Sequence, residues 1–405
     1  MRLLVLNAGS SSLKFDLLEA THAGASTRLA SATFADAADG SGQFVAQLPG
    51  ARGAVSRADS LAAAAALVLE RLADHEAHGE DLLAPVAATV HRLVHGGERF
   101  RATTLLGATE LEALAALSPL APLHNPPALS VIAAVRESLG TQLPAIGVFD
   151  TAYYADLPAS AYRYAVPTRW YEELGIRRYG FHGTAHRYMC QAVRARLANV
   201  RASERIVSLQ LGRGCSITAS LGGRAIATSM GFTPLEGLVM GTRSGDLDAG
   251  AVLFAMERGG MTPETMRREL NEASGLKGLS GGTSDVRELL ALERHGDVSA
   301  ALALEVFCRR ARHYLAAYIA ELGGVDAIAF GGGIGENSPD LRRRILAGLE
   351  FAGIEIAQAA NAACVGTAGS IASSGSRVGI EVVPVDEASV LAGEAYSLLT
   401  GAVPA

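Results

Sequence analysis

Residues 6–13 read Leu6-Asn7-Ala8-Gly9-Ser10-Ser11-Ser12-Leu13, a turn of small residues between two apolar segments. The segment Arg2–Asn7 predicts a short β-strand, and Leu13–Leu18 predicts the strand that pairs with it in a hairpin. A similar sequence recurs about half a chain later as Leu209-Gln210-Leu211-Gly212-Arg213-Gly214-Cys215-Ser216-Ile217. Because both segments read as apolar strand, Gly/Ser turn and apolar strand, they suggest two duplicated domains that face each other.

The length and composition are those of a folded protein with more than one domain. Its 405 residues are too many for one ordinary core, and 49% hydrophobic against 19% charged residues excludes a disordered chain. A net charge of −6 without a basic block argues against a nucleic-acid binder. The apolar runs Leu3–Leu6 and Leu61–Leu69 are too short for a secretory signal or a membrane span. We therefore expect a soluble, cytoplasmic protein.

The cysteines agree with a reducing compartment. No C-x-x-C pair occurs, so neither a zinc knuckle nor a disulfide framework is indicated. We expect free, buried thiols at the four scattered cysteines, Cys190, Cys215, Cys308 and Cys364.

Strand-like and helix-like periods alternate along the chain, which predicts an α/β architecture. Ser60–Ala73 and Ala301–Leu322 predict helices, because their apolar residues recur at helical spacing. Val325–Phe330 predicts a strand that runs directly into Gly331-Gly332-Gly333. The best domain boundary lies just after Val148-Phe149-Asp150, where an apolar strand gives way to polar and aromatic residues.

Three small-residue turns could hold phosphate groups through backbone N–H donors: Ala8–Ser12, Gly212–Gly214 and Gly331–Gly335. None matches G-x-x-x-x-G-K-[ST] or G-x-G-x-x-G, so neither a P-loop nor a Rossmann dinucleotide site is indicated. Any one of these glycine turns could simply reverse the chain. Three of them, each after an apolar strand, favour a phosphate site.

Two short motifs point to hydrolases. Ser11-Ser12-Leu13-Lys14 satisfies S-x-x-K, but its S-D-N and K-T-G companions are absent from the sequence. Gly278-Leu279-Ser280-Gly281-Gly282 satisfies G-x-S-x-G, but the preceding Asn271–Gly275 is polar and does not predict the required strand. We interpret both as chance matches in a chain with 45 glycines.

Two histidine pairs, His91/His95 and His182/His186, have the i, i+4 spacing of zinc ligands. Neither pair carries the glutamate of H-E-x-x-H, and no third ligand stands nearby in sequence. We therefore do not expect a zinc site.

Taken together, longer motifs resemble the acetate kinase family along nearly the whole chain. The matching segments, in order, are Val5–Lys14, His91–Glu98, Arg178–Thr184, Thr228–Gly237, Met240–Asp246, Gly333–Asn337 and Asp386-Glu387. The resemblance implies the α/β fold of the actin, Hsp70 and sugar-kinase superfamily. In that fold two duplicated actin-like (RNase H-like) domains, each a mixed sheet flanked by helices, surround an interdomain cleft, usually in a homodimer. The domains would be residues 1–150, completed by a C-terminal helix at about 386–400, and residues 151–385, which would carry the nucleotide site.

The implied reaction is reversible, direct in-line transfer of the γ-phosphoryl group of ATP to acetate, which yields acetyl phosphate and ADP. By this resemblance Arg92 and Arg243 would bind the carboxylate and the transferring phosphoryl group, and their planar guanidinium groups suit both anions. His182 would donate a hydrogen bond to the phosphoryl oxygens. Because a carboxylic acid (pKa about 4) is ionised at neutral pH, no general base is needed. Asp150 would therefore orient an arginine or a metal-bound water.

The resemblance also assigns binding roles. Asn7 and Glu387 would hold Mg²⁺, with Mn²⁺ as an alternative, and Lys14 would meet the nucleotide phosphates. A small apolar pocket for the methyl group would be lined by Val94, Leu123, Phe181 and Pro234. The residues around ATP would be Gln210, Leu211, Gly212, Arg213, Gly214, Asp285, Val286, Arg287, Gly333, Ile334, Gly335, Glu336 and Asn337.

The sequence departs from the family pattern at several positions. Gln210-Leu211-Gly212-Arg213-Gly214 stands where the family usually has His-Leu-Gly-Asn-Gly. The guanidinium of Arg213 would add a cation beside the phosphates, or would suit another phosphoryl donor. Other departures are Phe330-Gly331-Gly332-Gly333, Tyr153-Tyr154 and Ala249.

Alternatives remain at the level of function. A propionate or butyrate kinase would differ from an acetate kinase only in pocket volume. A nucleotide-binding switch without kinase activity is possible on the same fold. Taken singly, Arg92 and Asp150 could be an ordinary ion pair and His182 a core histidine.

Overall fold

The computed structural model describes residues 1–9, 12–22, 25–36, 44–46, 56–74, 85–122, 124–198 and 204–402. The chain divides into two compact units. Unit 1 comprises Met1–Ala155 and Asp386–Ala405, and unit 2 comprises Asp156–Val385.

The strands of unit 1 are β1 (Arg2–Ala8), β2 (Ser12–His22), β3 (Ala25–Asp36), β4 (Phe44–Ala46), β5 (Ser56–Ala58), β6 (Val86–Leu93), β7 (Thr104–Leu105) and β8 (Ala145–Phe149). Those of unit 2 are β9 (Arg205–Leu211), β10 (Cys215–Leu221), β11 (Arg224–Thr228), β12 (Ala327–Gly331), β13 (Gly369–Ser370) and β14 (Gly379–Val382).

The α-helices, in chain order, are α1 (Leu61–Asp74), α2 (Ala108–Ala116), α3 (Asn125–Leu139), α4 (Ala159–Tyr162), α5 (Arg169–Glu172), α6 (Gly183–Leu197), α7 (Ala249–Gly259), α8 (Pro263–Arg268), α9 (Gly275–Ser280), α10 (Val286–Arg294), α11 (Val298–Glu321), α12 (Gly332–Asn337), α13 (Pro339–Leu346), α14 (Gln358–Ala363) and α15 (Glu387–Thr400). Short 3₁₀ turns lie at Ser118–Leu120, Asp150–Tyr154 and Glu350–Ala352, and Glu269–Ala273 forms a π-helical turn.

Each unit is built on one mixed sheet, and the two sheets share a strand order. Among the described residues, the first sheet runs β5-β4-β3-β2-β1-β6-β8-β7 and the second runs β11-β10-β9-β12-β14-β13. The six strands β3-β2-β1-β6-β8-β7 of the first sheet correspond in order to the six strands of the second, and β4 and β5 extend the first sheet. In both sets neighbouring strands among the first three are antiparallel, the fourth and fifth are parallel to the third, and a short antiparallel strand lies at the edge. This shared order confirms two duplicated α/β domains.

Each sheet contains one of the two hairpins that the sequence predicts. β1 pairs with β2 from Arg2 opposite Glu19 to Ala8 opposite Leu13, and β9 pairs with β10 up to Leu211 opposite Cys215. Ser10 and Ser11 of the first turn lie outside the described residues.

The sheet of unit 1 is buried on both faces. Leu4 and Leu6 point into a core with α1 and α3, whereas Leu3 and Val5 point to the opposite face, against α15. This follows from the two-residue period of a strand, because alternate side chains leave on opposite faces. An apolar strand without polar alternation is typical of such a two-sided core.

The sheet of unit 2 is also covered by helices. Met189 and Val193 of α6 pack against Ile206 and Ala329 on one face, and α11 contacts β9 and β10. The predicted helix Ala301–Leu322 and strand Val325–Phe330 are confirmed as α11 and β12, with bounds shifted by one to three residues.

The structure differs from the sequence analysis at Gly331–Gly335. We expected a small-residue turn, but Gly331 ends β12 and Gly332 already begins α12. Gly332 has φ +75, and a Cβ there would lie 2.6 Å from the carbonyl oxygen of Leu211. Only glycine allows this close passage between the end of one strand and the start of a helix.

Candidate active site

Arg92 and Asp150 meet at the carboxyl ends of two parallel strands of unit 1. Arg92 is the penultimate residue of β6, and Asp150 directly follows β8, its parallel neighbour. Arg92 Nε and Nη2 donate to Asp150 Oδ1 and Oδ2 at 3.0 and 2.7 Å. The Asp150 side chain is only 1% exposed, so this bidentate pair is shielded from water.

Asn7 connects this pair to Glu387. The Asn7 Oδ1 atom accepts from Arg92 Nη1 at 3.2 Å, and Asn7 Nδ2 donates to Glu387 Oε2 at 2.6 Å. Arg92 Nη1 also lies 3.6 Å from Glu387 Oε2. Burial alone would lower the pKa of Arg92, but the charges of Asp150 and Glu387 outweigh burial and raise it. One guanidinium between two carboxylates leaves the cluster with a net negative charge.

The donor set of this cluster suits a hard cation. Glu387 opens α15, and Asn7 lies at the end of β1, opposite Lys14 on β2. Within the described residues, no group of three or more His, Cys, Asp or Glu side chains could hold a metal ion alone. Mg²⁺ does not require such a cage, because it commonly binds one or two protein oxygens together with substrate phosphates and water. The carboxylate of Glu387 and the amide oxygen of Asn7 fit that requirement.

In unit 2, His182 and Arg243 converge on Gly214. A Cβ at Gly214 would lie 3.4 Å from His182 Nε2 and 3.5 Å from Arg243 Nη1. Arg243 Nη1 donates to the carbonyl oxygen of Pro234 at 3.2 Å. No carboxylate among the described residues forms an ion pair with Arg243. A half-buried guanidinium without such a counter-ion is suited to an external anion.

Burial lowers the pKa of Arg243, and the positive charge of Arg213 lowers it further against an opposing effect of Cys215. Arg213 lies on the same turn as Gly214, and its carbonyl oxygen accepts from the N–H of Gly241 at 3.2 Å. The Gly212–Gly214 turn and the segment before Arg243 are therefore joined directly. Two guanidinium groups stand close enough to repel each other.

His182 has a strained backbone. Its φ is +59°, and it is the only non-glycine residue with positive φ in the described part of the chain. Left-handed geometry costs about 1–2 kcal/mol for a residue with a Cβ. Such strain is typical of functional positions held by surrounding contacts. One such contact is made by Ser216, whose Oγ lies 2.9 Å from His182 Nδ1.

The predicted nucleotide turns lie next to each other in unit 2. The Gly212 N–H donates to the carbonyl oxygen of Gly214 at 3.1 Å, and a Cβ at Gly212 would lie 3.9 Å from the Gly333 nitrogen. A Cβ at Gly333 would meet nothing within 4 Å, so backbone N–H groups can be approached there. Glu336 Oε1 accepts from the Gly332 N–H at 2.8 Å, which fixes the start of α12. This arrangement can cradle phosphate oxygens.

Comparison with known proteins identifies the family. A model of the acetokinase family matches residues 2–393 of the chain. The protein belongs to the acetokinase family. The chain is 42% identical over 410 residues to the acetate kinase of Solibacter usitatus (strain Ellin6076), covering 99% of each chain. It is 41% identical over 402 residues to the acetate kinase of Bacteroides thetaiotaomicron, covering 98% of this chain and all of that one.

Solved structures agree with this family. The crystal structure of Porphyromonas gingivalis acetate kinase is 35% identical and has a TM-score of 0.89, covering 98% of this chain and 100% of that chain. A propionate kinase from Francisella tularensis is 34% identical with a TM-score of 0.84, covering 97% and 98%. The predicted family and fold class are confirmed.

The other predicted site residues of this acetokinase have varied surroundings. Asp285 caps α10 and pairs with Arg287 Nη2 at 2.6 Å, and the hydrogen bond from Arg287 lowers the pKa of Asp285 to about 2. Val286 is buried, so its side chain serves the core. Val94 and Phe181 are buried as well. Leu123 lies outside the described residues.

Arg342 was not predicted from the sequence. Its side chain is fully buried, and Nη1 donates to the carbonyl oxygens of Gly335 and Glu336 at 2.7 and 3.0 Å. It also binds Asn361 and the carbonyl oxygen of Cys364. The available signal was its spacing from the apolar Ile345 on α13, which places it on the buried face.

A second unpredicted group supports the segment before Arg243. Arg178 Nη1 donates to the carbonyl oxygens of residues 228–230 at 3.1–3.2 Å, and Arg178 also pairs with Glu236. The Tyr164 hydroxyl donates to the same carboxylate. These contacts hold the chain on both sides of Pro234. Tyr164 lies outside every recognised motif, so nothing in the sequence indicated it.

Proposed function

We propose that this acetokinase is an acetate kinase, which reversibly transfers the γ-phosphoryl group of ATP to acetate. The observation that carries the proposal is that His182 and Arg243 both lie beside the Gly214 turn, where no carboxylate of the described residues forms an ion pair with Arg243. These two groups can stabilise the charge that develops on phosphoryl oxygens during transfer. The high identity to named acetate kinases over the full chain supports the acceptor.

In the proposed reaction, a carboxylate oxygen of acetate attacks the γ-phosphorus in line with the leaving oxygen of ADP. One P–O bond forms as the other breaks, and no proton moves, because acetate is already ionised. Arg92 would bind the carboxylate. Both oxygens of Asp150 accept from Arg92, which supports an orienting role for Asp150.

We propose that Glu387 and Asn7 hold Mg²⁺, with Mn²⁺ as a substitute, and that Lys14 meets the nucleotide phosphates. A bound divalent cation would neutralise phosphate charge. Oxygen donors are the ligands that Mg²⁺ prefers, and the negative charge of the Asn7–Arg92–Asp150–Glu387 cluster favours a cation. Asn7 also links Glu387 to Arg92, so metal and acceptor sites would be coupled.

We propose that ATP lies along residues 210–214, 285–287 and 333–337. The adjacent Gly212 and Gly333 turns support a phosphate position there. We also propose domain limits at 1–150 with 386–400, and at 151–385. A pocket of Val94, Leu123, Phe181 and Pro234 would favour acetate.

Propionate kinase activity is the second candidate. It is favoured by the similarity to the Francisella tularensis propionate kinase, with a TM-score of 0.84. One methylene changes binding by only about 1–3 kcal/mol, so both acids are reasonable substrates.

A homodimer is proposed because α7 has no buried residue, and Leu253 and Phe254 on it are 59% and 63% exposed. An apolar face of this kind is typical of a protein interface. Within the described residues no helix is long and apolar enough to cross a membrane. We propose a cytoplasmic location, supported by four buried cysteines that form no disulfide among the described residues.

The decisive experiment measures ATP formation from acetyl phosphate and ADP, with propionyl phosphate in parallel. We expect faster turnover of acetyl phosphate, dependence on Mg²⁺, and loss of activity in Arg243→Ala. ATP binding without turnover of either acyl phosphate would instead identify a nucleotide-binding switch.

A further inference from the structure

Four side chains of unit 2 form a continuous hydrogen-bonded chain that ends at His182. The Ser208 Oγ atom lies 2.7 Å from His186 Nδ1, and His186 Nε2 lies 2.7 Å from Ser216 Oγ. Ser216 Oγ in turn lies 2.9 Å from His182 Nδ1. Ser208, Ser216 and His186 are each 0% exposed, so water cannot substitute for any of these partners.

The fold brings these residues together from three elements. His182 immediately precedes α6 and His186 lies one turn into it, whereas Ser208 and Ser216 belong to the paired strands β9 and β10. The i, i+4 spacing of the histidines therefore places both rings against one serine hydroxyl. This explains a spacing that could be mistaken for a zinc motif.

The number of protons allows the hydrogen bonds of this series of side chains to run in only two directions. Burial holds the pKa of His186 well below its ordinary value, so His186 is neutral. A neutral imidazole has one donor and one acceptor nitrogen, and each serine has one hydroxyl proton. Either every bond runs from Ser208 towards His182, or every bond runs from His182 towards Ser208.

The Ser208 end selects the direction. Among the hydrogen bonds of the described residues, His186 Nδ1 is the only partner of Ser208 Oγ. If His186 donated to Ser208, the Ser208 hydroxyl proton would lack an acceptor in the interior, which is unfavourable. Ser208 therefore donates to His186, His186 Nε2–H donates to Ser216, and the Ser216 hydroxyl donates to His182 Nδ1.

We propose that Ser208, His186 and Ser216 hold neutral His182 in the tautomer with its proton on Nε2. That nitrogen lies beside Gly214, as does Arg243 Nη1, and the proposed function places the phosphoryl acceptor there. Ionised phosphoryl oxygens only accept hydrogen bonds, and the opposite tautomer would present them with a lone pair. The nature of this acceptor rests on the proposed function. The three residues act through His182 and are positioning residues.

The first test is the tautomer of His182 in the wild-type protein without substrates. Long-range ¹H–¹⁵N NMR on histidine-labelled protein, with the His182 signals assigned by His182→Gln, distinguishes protonated from bare ring nitrogens. We expect Nε2 to be protonated and Nδ1 to be bare at neutral pH. A proton on Nδ1 alone would overturn the proposal. Because no turnover is measured, this result is independent of whether acetate is the substrate.

The second test removes one donor at a time. Ser216→Ala should lower kcat roughly ten- to hundredfold, as removal of supporting hydrogen bonds commonly does, with KM for ATP and acetate nearly unchanged. The His182 NMR signals should then show a mixture of tautomers. Ser208→Ala should act in the same direction but more weakly, and Ser216→Thr, which keeps the hydroxyl, should restore activity.

Thr218→Val is the matched control, because Thr218 is another buried hydroxyl residue on β10 but does not belong to the chain. It should lower stability without changing the tautomer or kcat. Ser216→Ala with wild-type kcat and an unchanged tautomer would refute the proposal. If Ser216→Ala fails to fold, the wild-type tautomer and Ser208→Ala still decide it.

Discussion

Asn7 and Gln210 occupy corresponding places in the two sheets, but their surroundings are opposite in character. Each is the penultimate residue of the strand that comes first along the chain in its unit, β1 or β9. The Asn7 amide binds both Arg92 and Glu387. Gln210 Oε1 is buried without a hydrogen-bond partner among the described residues, 3.1 Å from where a Cβ of Gly331 would stand. The shared strand order therefore determines where Asn7 and Gln210 lie, and the neighbouring side chains determine which interactions each makes.

The arginines repeat this contrast. Arg92 is balanced by two carboxylates, whereas the half-buried Arg243 has none among the described residues. A neutralised guanidinium can be held rigidly and can share a site with a cation. An unpaired one provides positive charge for an incoming anion. Activity and stability should therefore respond differently when each arginine is removed.

The largest effect is expected from Arg243→Ala. It should lower kcat/KM for acetate by about 10³-fold, because the guanidinium opposes repulsion that is greatest as two anions approach. The free energy of unfolding should fall by less than about 1 kcal/mol, since no buried partner loses its charge. Steady-state kinetics and urea denaturation measure both quantities. Near-normal kcat/KM would mean that the phosphoryl site lies elsewhere.

Arg92→Ala should also lower kcat/KM by orders of magnitude, but with a loss of stability. Removing the guanidinium takes the ion-pair partner Arg92 from the buried Asp150 carboxylate, and breaking such a pair typically costs about 3–5 kcal/mol. The double variant Arg92→Ala/Asp150→Ala should recover part of this stability while staying inactive. Equal unfolding free energies of Arg92→Ala and Arg243→Ala would contradict the comparison.

Local patterns predicted the frame well. The hairpin Arg2–Leu18, the helix at Ser60–Ala73 and the strand before Gly331 are confirmed, because each combines an apolar period with a clear turn or end. The start of α12 at Gly332 was missed, since a glycine run gives no helical signal.

Long-range contacts account for most of what the sequence did not predict. Arg342 reaches Asn361 and Cys364, and Ser208 and Ser216 meet His186 only because β9 pairs with β10 below α6. Sequence spacing does not specify such meetings. Both arginines lay in recognised motifs, but only the structure distinguishes Arg92, which pairs with Asp150, from Arg243, which has no ion pair among the described residues.

Acceptor length should produce a smaller effect. We expect acetate to be preferred over propionate and butyrate to be poor, because each overpacked methylene costs about 1–3 kcal/mol. Val94→Ala should raise kcat/KM for propionate relative to acetate. Val68→Ala, in the core between α1 and the sheet, is the control that should lower stability without changing the ratio. Faster turnover of butyrate than of acetate would identify a butyrate kinase.

The smallest effect is expected at Arg213, which adds a second positive charge near Arg243. Its charge acts on Arg243, so a phosphoryl group bound there should also feel it. Arg213→Asn should raise KM for ATP and for acetyl phosphate several-fold, leave KM for acetate nearly unchanged, and weaken the salt dependence of nucleotide binding. Arg224→Asn, at the opposite end of the β9–β10 hairpin, is the matched control.

A rise in KM for ATP and ADP but not for acetyl phosphate would place Arg213 at the nucleotide phosphates instead. No change in any KM would mean that its side chain extends into solvent. Pyrophosphate working better than ATP in the wild type would show that the turn serves another phosphoryl donor.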